Sequence, residues 1–349
     1  MAGGVGSRFW PISKTECPKQ FLDILSVGET LIQQTFRRLQ KVCLKENIFV
    51  VTNHEYKSLC KGQLNDIIED NILCEPVMRN TAPCIAYAAY KIFDLNNQAK
   101  LIIAPSDHLI LNEDAFVESV TNVFSSVKDS DRLVTLGISP SRPDTGYGYI
   151  QYSDEGSSAL KNLKKVKTFT EKPNVELALQ FIDSGDFLWN AGIFIFSASA
   201  IINSFKKHLR DVHDIFSSGF GIYNTRKEVS FIEKVFPTCK NISIDYGVFE
   251  KSDAVHVYPC DFGWSDLGTW GSLYSFLDKD EDDNTLQGEG IMLYNSSNNI
   301  IRNEGSKTLI AQGLDGYIVV NTNDALLICK KEDEQQIKAF VNDLKKQDL

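Results

Sequence analysis

The feature that most constrains this 349-residue chain is an alternation that runs through its first 260 residues. Short runs rich in β-branched side chains take turns with segments of helical period. Residues 47–52 (NIFVVT), 72–74, 100–104 (KLIIA) and 132–138 (RLVTLGI) read as buried strands. Between them, 29–45, 55–69, 82–95 and 113–127 read as helices. Strand and helix in turn imply βαβ units. The expected fold is therefore α/β, with a mixed, mostly parallel sheet and helices on both faces. Residues 147–152, 166–171, 192–196 and 254–260 extend the strand series, and a helix starts near Val175 after Lys172-Pro173-Asn174.

At about 150 residues per domain, the length suits one large domain and a smaller one. The dense acidic stretch 278–284 (DKDEDDN) carries no apolar residue and is the expected linker. It separates an expected catalytic domain, 1–277, from a β-rich module, 285–349. In that module 290–294, 299–302, 308–311, 317–320 and 325–329 are short strands with Gly, Asn and Asp turns between them. Their spacing suits a small all-β unit or a few coils of a β-helix, closed by an amphipathic helix at 332–346.

Composition removes several classes of function. Thirty-six Lys and Arg against 46 Asp and Glu give a net charge of −10. No global basic field exists for nucleic acid or an anionic membrane, so neither is an expected partner. With 43% hydrophobic and 23% charged residues the chain can bury a core. No run approaches the roughly 18 apolar residues of a membrane span, and no basic-then-apolar leader opens the chain. The eight cysteines form no C-x-x-C pair, as expected of free thiols in the cytoplasm.

Gly3-Gly4-Val5-Gly6-Ser7-Arg8 is followed by Pro11 and then by Pro18-Lys19-Gln20. Glycines let backbone N–H groups approach phosphate oxygens, Arg8 can fork onto two of them, and Lys19 adds a compact positive charge. A flexible terminal loop is the plain alternative for the glycines alone. Such a loop normally follows a central strand, yet Met1 stands directly before Ala2. A start assigned too late is the expected cause, and extension upstream is expected to add about six to ten apolar residues.

Asp107 follows the strand 101–104 in Pro105-Ser106-Asp107-His108, at the carboxyl edge where α/β sheets bind ligands. Asp266 lies in Gly263-Trp264-Ser265-Asp266-Leu267-Gly268-Thr269-Trp270. Each aspartate has a structural alternative as a turn or helix cap, Asp266 for a helix at 268–277. Lys172 and Glu171 close a strand in Phe169-Thr170-Glu171-Lys172-Pro173, where a solvated surface pair would look identical. Thr81, before the helix 82–95, reads as its N-cap. Trp264 and Trp270 read as packing residues.

Together GGVGSRFWPIS, PKQF, RNTAP, FTEKP and GWSDLGTW resemble the sugar-phosphate nucleotidylyltransferases, and within them the mannose-1-phosphate guanylyltransferase branch. The resemblance spans about residues 2–277. It implies a Rossmann-like domain, a tail similar to a short left-handed β-helix, and EC 2.7.7.13 activity: GMP passes from GTP to α-D-mannose 1-phosphate, giving GDP-mannose and pyrophosphate. It also implies Mg²⁺ held by Asp107 and Asp266, with Arg8, Lys19 and Lys172 completing the catalytic set. Gly3, Gly4, Gly6, Ser7, Arg79, Asn80, Thr81 and Ser106 would bind the nucleotide. Tyr147, Gly148, Glu171, Lys172, Asn190 and Asp245 would bind the sugar phosphate, with helix capping an equal alternative for Asp245. A homodimer is expected. The chain is too short for the isomerase domain of some relatives and is expected to be monofunctional. A manno-heptose 1-phosphate acceptor, a non-catalytic nucleotide-sugar-sensing subunit, and an interaction protein working through its tail are the competing readings.

Overall fold

The structure is a computed structural model that describes residues 1–4, 6–127, 130–153 and 162–346. Two compact units emerge. One comprises 1–3, 36–106 and 110–264, and the other 4–35, 107–109 and 265–349. The stretch 278–284, expected as a linker, is ordered by its own side chains. That stretch lies inside the second unit, where the Asp280 carboxylate accepts from the Asp282 and Asn284 amides. Its charge therefore tightens a turn.

The first unit holds strands β1 (Val50–Asn53), β2 (Ile72–Glu75), β3 (Lys100–Ile103), β4 (Leu133–Ile138), β5 (Gly148–Ser153), β6 (Lys164–Glu171), β7 (Phe187–Ser197) and β8 (Val255–Cys260). β1 and β2 pair in parallel as a two-stranded sheet. The other six form one sheet in the order β3-β7-β4-β8-β6-β5. The sheet is mixed, as expected, but its parallel share is smaller than expected. β4–β8 is parallel, whereas β7 runs antiparallel to β3, β4 and β5, and β6 runs antiparallel to β5 and β8. A parallel neighbour needs a long crossover, and only residues 154–163 separate β5 from β6. A buried strand has the same composition in either direction, so residue pattern carries no signal for this.

Helices cover both faces. Thr81–Leu95, Ala198–His208 and Arg210–Ser217 contribute to one apolar core. Glu113–Ser126 and Val175–Ser184 contribute to the other. Alternation along β4 feeds both, Leu133 facing one core and Val134, Leu136 and Ile138 the other. At the chain start, Ala2 makes a parallel bridge to Thr52, and the Met1 carbonyl accepts from the Ser106 amide. Several expected elements shift at their ends: 29–45 becomes Leu31–Gln40, 55–69 becomes Lys57–Gln63, and 192–196 becomes the eleven-residue β7.

In the second unit the described residues of the tail form six strands where five were expected, Thr285–Gly288 being the addition. Thr285–Gly288, Ile300–Asn303 and Tyr317–Asn321 stack in parallel, and Leu326–Lys330 closes that sheet antiparallel. Ile291–Tyr294 and Leu309–Gln312 form a second parallel layer. Asn284, Asn299, Asn303 and Asn321 bond to one another or to backbone at successive turns. The closing helix is Ile337–Lys346, preceded by a 3₁₀ stretch, Lys331–Gln336. Ile300, Ile318, Val320, Leu327, Ile337 and Val341 share one core with Phe9, Ile12, Ile24 and Trp270. Among the described residues no helix is long and apolar enough to cross a membrane.

Candidate active site

In the second unit the glycine-rich loop turns at Gly6, whose φ of 68° is left-handed. A Cβ there would lie 2.5 Å from the Lys19 Cβ, so glycine is what lets the two segments touch. Lys19 begins a 3₁₀ turn, Lys19–Phe21, and is only 4% exposed. Its Nζ donates to the Asp266 carbonyl at 2.7 Å and the Leu267 carbonyl at 3.1 Å, and pairs with Asp107 Oδ2 at 2.9 Å. An ammonium has three donors, and these three acceptors match them. Burial alone would raise the Asp107 carboxyl. Lys19 beside it, helped by His108, holds it below the usual carboxylate range.

Asp266 is thus brought to Asp107 through Lys19. It does not cap the following helix, which is Trp270–Tyr274 and starts from a Thr269–Ser272 capping box. The Asp266 carboxylate accepts instead from the Gly268 amide at 2.8 Å. Trp270 packs as expected, 5.0 Å from Phe9. Ser7 and Arg8 open the 3₁₀ turn Ser7–Phe9; Arg8 is exposed, and Gly4 has open space where a Cβ would stand.

The first unit carries the remaining candidates in two groups. In one, Glu75 ends β2 and Asn80 precedes the helix Thr81–Leu95. Asn80, with φ 66°, is the N-cap, its side-chain oxygen accepting from the Thr81 amide; the expected cap, Thr81, is the first helical residue. The Thr81 hydroxyl accepts from the Ile244 amide at 2.8 Å. Arg79, expected on the nucleotide side, donates from Nη2 to the Pro237 carbonyl at 2.7 Å. Buried Ser106 donates its amide to Met1.

Glu75 was not singled out from the sequence. It is buried, its Oε1 has no hydrogen-bond partner among the described residues, and burial pushes its carboxyl up to about 7. A Cβ on Gly3 would lie 3.8 Å from its Oε2. Its only sequence signal is an acid placed at the carboxyl end of a strand.

The other group sits on β5, β6 and β7. Gly148 is registered opposite Glu171, and a Cβ on Gly148 would stand 3.3 Å from the Glu171 carboxyl and 3.4 Å from the Asn190 Cβ. Asn190 lies at a bulge where the β4–β7 register shifts between Thr135 and Gly137. Fully buried Thr135 donates its hydroxyl to Asn190 Oδ1 at 2.9 Å. That bond orients the amide so that Nδ2 donates to Asp245 Oδ1 at 3.0 Å. Burial first, then the charge of Glu171, pushes Asp245 up to about 7, and burial raises Glu171 as well. Asp245 opens a short π-helical turn, Asp245–Phe249, without capping it through its side chain.

Lys172 has φ 49° and a side chain 69% exposed, 3.9 Å from Glu171. Tyr147 is buried edge-on to Trp189 and Trp264, with Arg142 over both the Tyr147 and Trp189 rings. Thr135 and Arg142 were also missed, because their sequence surroundings are an ordinary strand and an ordinary turn.

Among the described residues no group of three or more His, Cys, Asp or Glu could hold a metal. Mg²⁺ on a nucleoside triphosphate needs only one or two protein carboxylates. Asp107, with 32% of its side chain still exposed, and Asp266 fit that requirement.

Comparison with known proteins adds the following. A nucleotidyl transferase family model matches residues 1–283, and a mannose-phosphate isomerase/GMP-like β-helix domain model matches 290–344. The chain is 36% identical to mannose-1-phosphate guanylyltransferase 2 of Escherichia coli O157:H7, over 99% of its own length and 73% of that protein's. It is likewise 36% identical to a mannose-1-phosphate guanylyltransferase of Salmonella montevideo, with the same coverage. A crystal structure from Thermus thermophilus, named a mannose-1-phosphate geranyltransferase, matches with a TM-score of 0.87 and 27% identity, covering 99% of this chain and 98% of that one.

Proposed function

This chain belongs to the mannose-1-phosphate guanylyltransferase family, and from that premise we propose how its residues divide the work of forming GDP-mannose from GTP and mannose 1-phosphate. The observation that carries the reading is the Lys19 hub, which ties the signature loop to Asp107 and to the Asp266 turn.

The attacking oxygen belongs to a phosphate monoester that is already ionised at neutral pH, so no general base is needed. In-line attack on the α-phosphorus of GTP expels pyrophosphate, and catalysis rests on positioning and charge neutralisation. Mg²⁺, held by Asp107 and Asp266, would supply Lewis-acid neutralisation of phosphate charge when bound. Lys19 keeps Asp107 ionised and fixes the two carbonyls beside it. Arg8 offsets charge on the departing pyrophosphate, and the amides of Gly3, Gly4, Gly6 and Ser7 cradle GTP oxygens. Asn80, Thr81 and Ser106 bound the nucleoside.

Lys172, exposed at the end of β6, receives the sugar phosphate. Gly148, Glu171, Asn190 and Asp245 receive sugar hydroxyls, the Thr135-oriented amide donating while the carboxylates accept. Tyr147 walls that group. Exposed apolar side chains on the tail, including Tyr294, Ile310, Leu326 and Ile328, support a homodimer.

The test is pyrophosphate release with Mg²⁺, mannose 1-phosphate and each of the four nucleoside triphosphates, repeated with chelator. GTP alone should support release, and chelator should abolish it. Equal rates with all four, or rates indifferent to chelator, would refute the assignment.

A further inference from the structure

We propose that the β-rich tail is part of the catalytic machinery, with Arg302 a positioning residue that holds the signature loop and acts through Lys19. The proposal rests on the role given to Lys19 above.

Arg302 is 6% exposed, on the strand Ile300–Asn303. Its guanidinium offers five N–H donors in a fixed fork, and the structure uses the fork inward. Nη1 donates to the Ile24 carbonyl at 2.7 Å, Nη2 to the Asp23 carbonyl at 3.0 Å, and Nε to Glu304 at 2.7 Å. Gln287, one coil earlier, donates to the same Ile24 carbonyl at 3.0 Å and to Ser26 Oγ at 3.1 Å. The side chains of two successive coils thus grip the backbone that leaves the Lys19–Phe21 turn. The Ile24 side chain is fully buried in the core that the tail strands build.

A second arm reaches the other partner of Lys19. Glu334, in the 3₁₀ stretch before the last helix, accepts from the Gly271 amide at 2.7 Å. Gly271 lies five residues past Asp266, whose carbonyl Lys19 bonds. The tail therefore fixes backbone on both sides of the hub, at 23–24 and at 271. No mobile ligand is needed to explain Arg302, because each of its bonds holds a loop carbonyl or a neighbour that orients the fork. Misplacing a reacting group by about 1 Å can cost on the order of a hundredfold in rate. A loop carrying a buried charge hub is where such a displacement would arise.

The experiment is a double-mutant cycle on kcat, with Arg302→Met, Lys19→Met and the pair, each against GTP and mannose 1-phosphate. Arg302→Met should lower kcat on the order of ten- to a hundredfold, with the KM for mannose 1-phosphate little changed. In the Lys19→Met background the same change should cost less than about threefold, since the group it positions is gone. Arg302→Lys, which keeps the charge without the fork, should fall between. Equal losses in both backgrounds, or an unchanged kcat, would overturn the proposal. Should Arg302→Met fail to fold, Gln287→Leu, which removes one grip on Ile24, enters the same cycle under the same criteria.

Hydrogen exchange of the ligand-free proteins supplies a readout that needs no turnover. Amides at 19–24 should exchange faster in the Arg302 variant while those of Tyr317–Asn321 keep their protection. Uniform loosening, or no change at 19–24, would refute the positioning role. The wild-type assay with GTP tests the reaction itself, so failure of that reading and failure of this one are told apart.

Discussion

Replacing Lys19 by methionine keeps most of the side-chain volume and removes the ammonium. The Asp266 and Leu267 carbonyls, bonded at 2.7 and 3.1 Å, lose a buried donor at about 1 kcal/mol each. Asp107 loses its counter-charge, and because 32% of its side chain is exposed this adds only about 1 kcal/mol. The total is about 3 kcal/mol. With about 2.1 cal/mol/K of unfolding entropy per residue over 349 residues, Tm should fall by about 4 °C. Turnover should fall on the order of 10²–10³-fold, the usual loss for a preorganised electrostatic group. The variant should also change its pH response. Lys19 holds Asp107 below the carboxylate range against burial, so without it burial pushes Asp107 up. The acid limb of the kcat/KM profile should then move to higher pH. Pyrophosphate release between pH 5 and 8, with thermal melts of the same samples, measures all three effects. A kcat within about threefold of wild type, or an acid limb that stays in place, would refute the hub as the centre of catalysis.

Three further outcomes follow from particular contacts. Asn190→Leu breaks the Thr135–Asn190–Asp245 chain and should raise the KM for mannose 1-phosphate on the order of tenfold while sparing that for GTP; steady-state kinetics showing the reverse would remove Asn190 from the sugar side. Gly6→Ala meets both a left-handed φ, at about 1–2 kcal/mol, and the Lys19 Cβ at 2.5 Å. It should lower kcat along with Tm, and wild-type kinetics would show the loop tolerates displacement. Glu75 has a carboxyl raised to about 7, so the folded chain binds its proton more tightly than the unfolded chain does. The stability this lends is present below the unfolded value and fades as pH rises through about 7. Urea unfolding of Glu75→Gln should therefore show a flatter decline between pH 5 and 7.5 than wild type, and parallel curves would count against the assignment.

Much of the fold was legible because burial period and β-branched runs are local properties. The strands at 100–103 and 133–138 and the helix 81–95 fall where the sequence places them, within a residue or two at their ends. Direction was not legible, because β7 would read the same in a parallel sheet. Candidate residues within dense motifs, such as Lys19, Asp107 and Asp266, were identifiable by type and spacing. The bond from Arg79 to the Pro237 carbonyl, 158 residues away in sequence, was not legible, because a position before Asn80 says nothing about that partner.

The sequence by itself determined the chemical inventory: glycines that admit backbone to phosphate, two aspartates after strands, and an asparagine able to donate and accept. Those properties belong to single residues and short spacings. The tertiary structure alone decided who partners whom. Lys19 meets carbonyls 247 and 248 residues away, Asn190 is oriented by Thr135 at a bulge, and Arg302 grips a loop 278 residues before it. Such pairings depend on burial, which makes each donor seek an acceptor wherever the chain brings one.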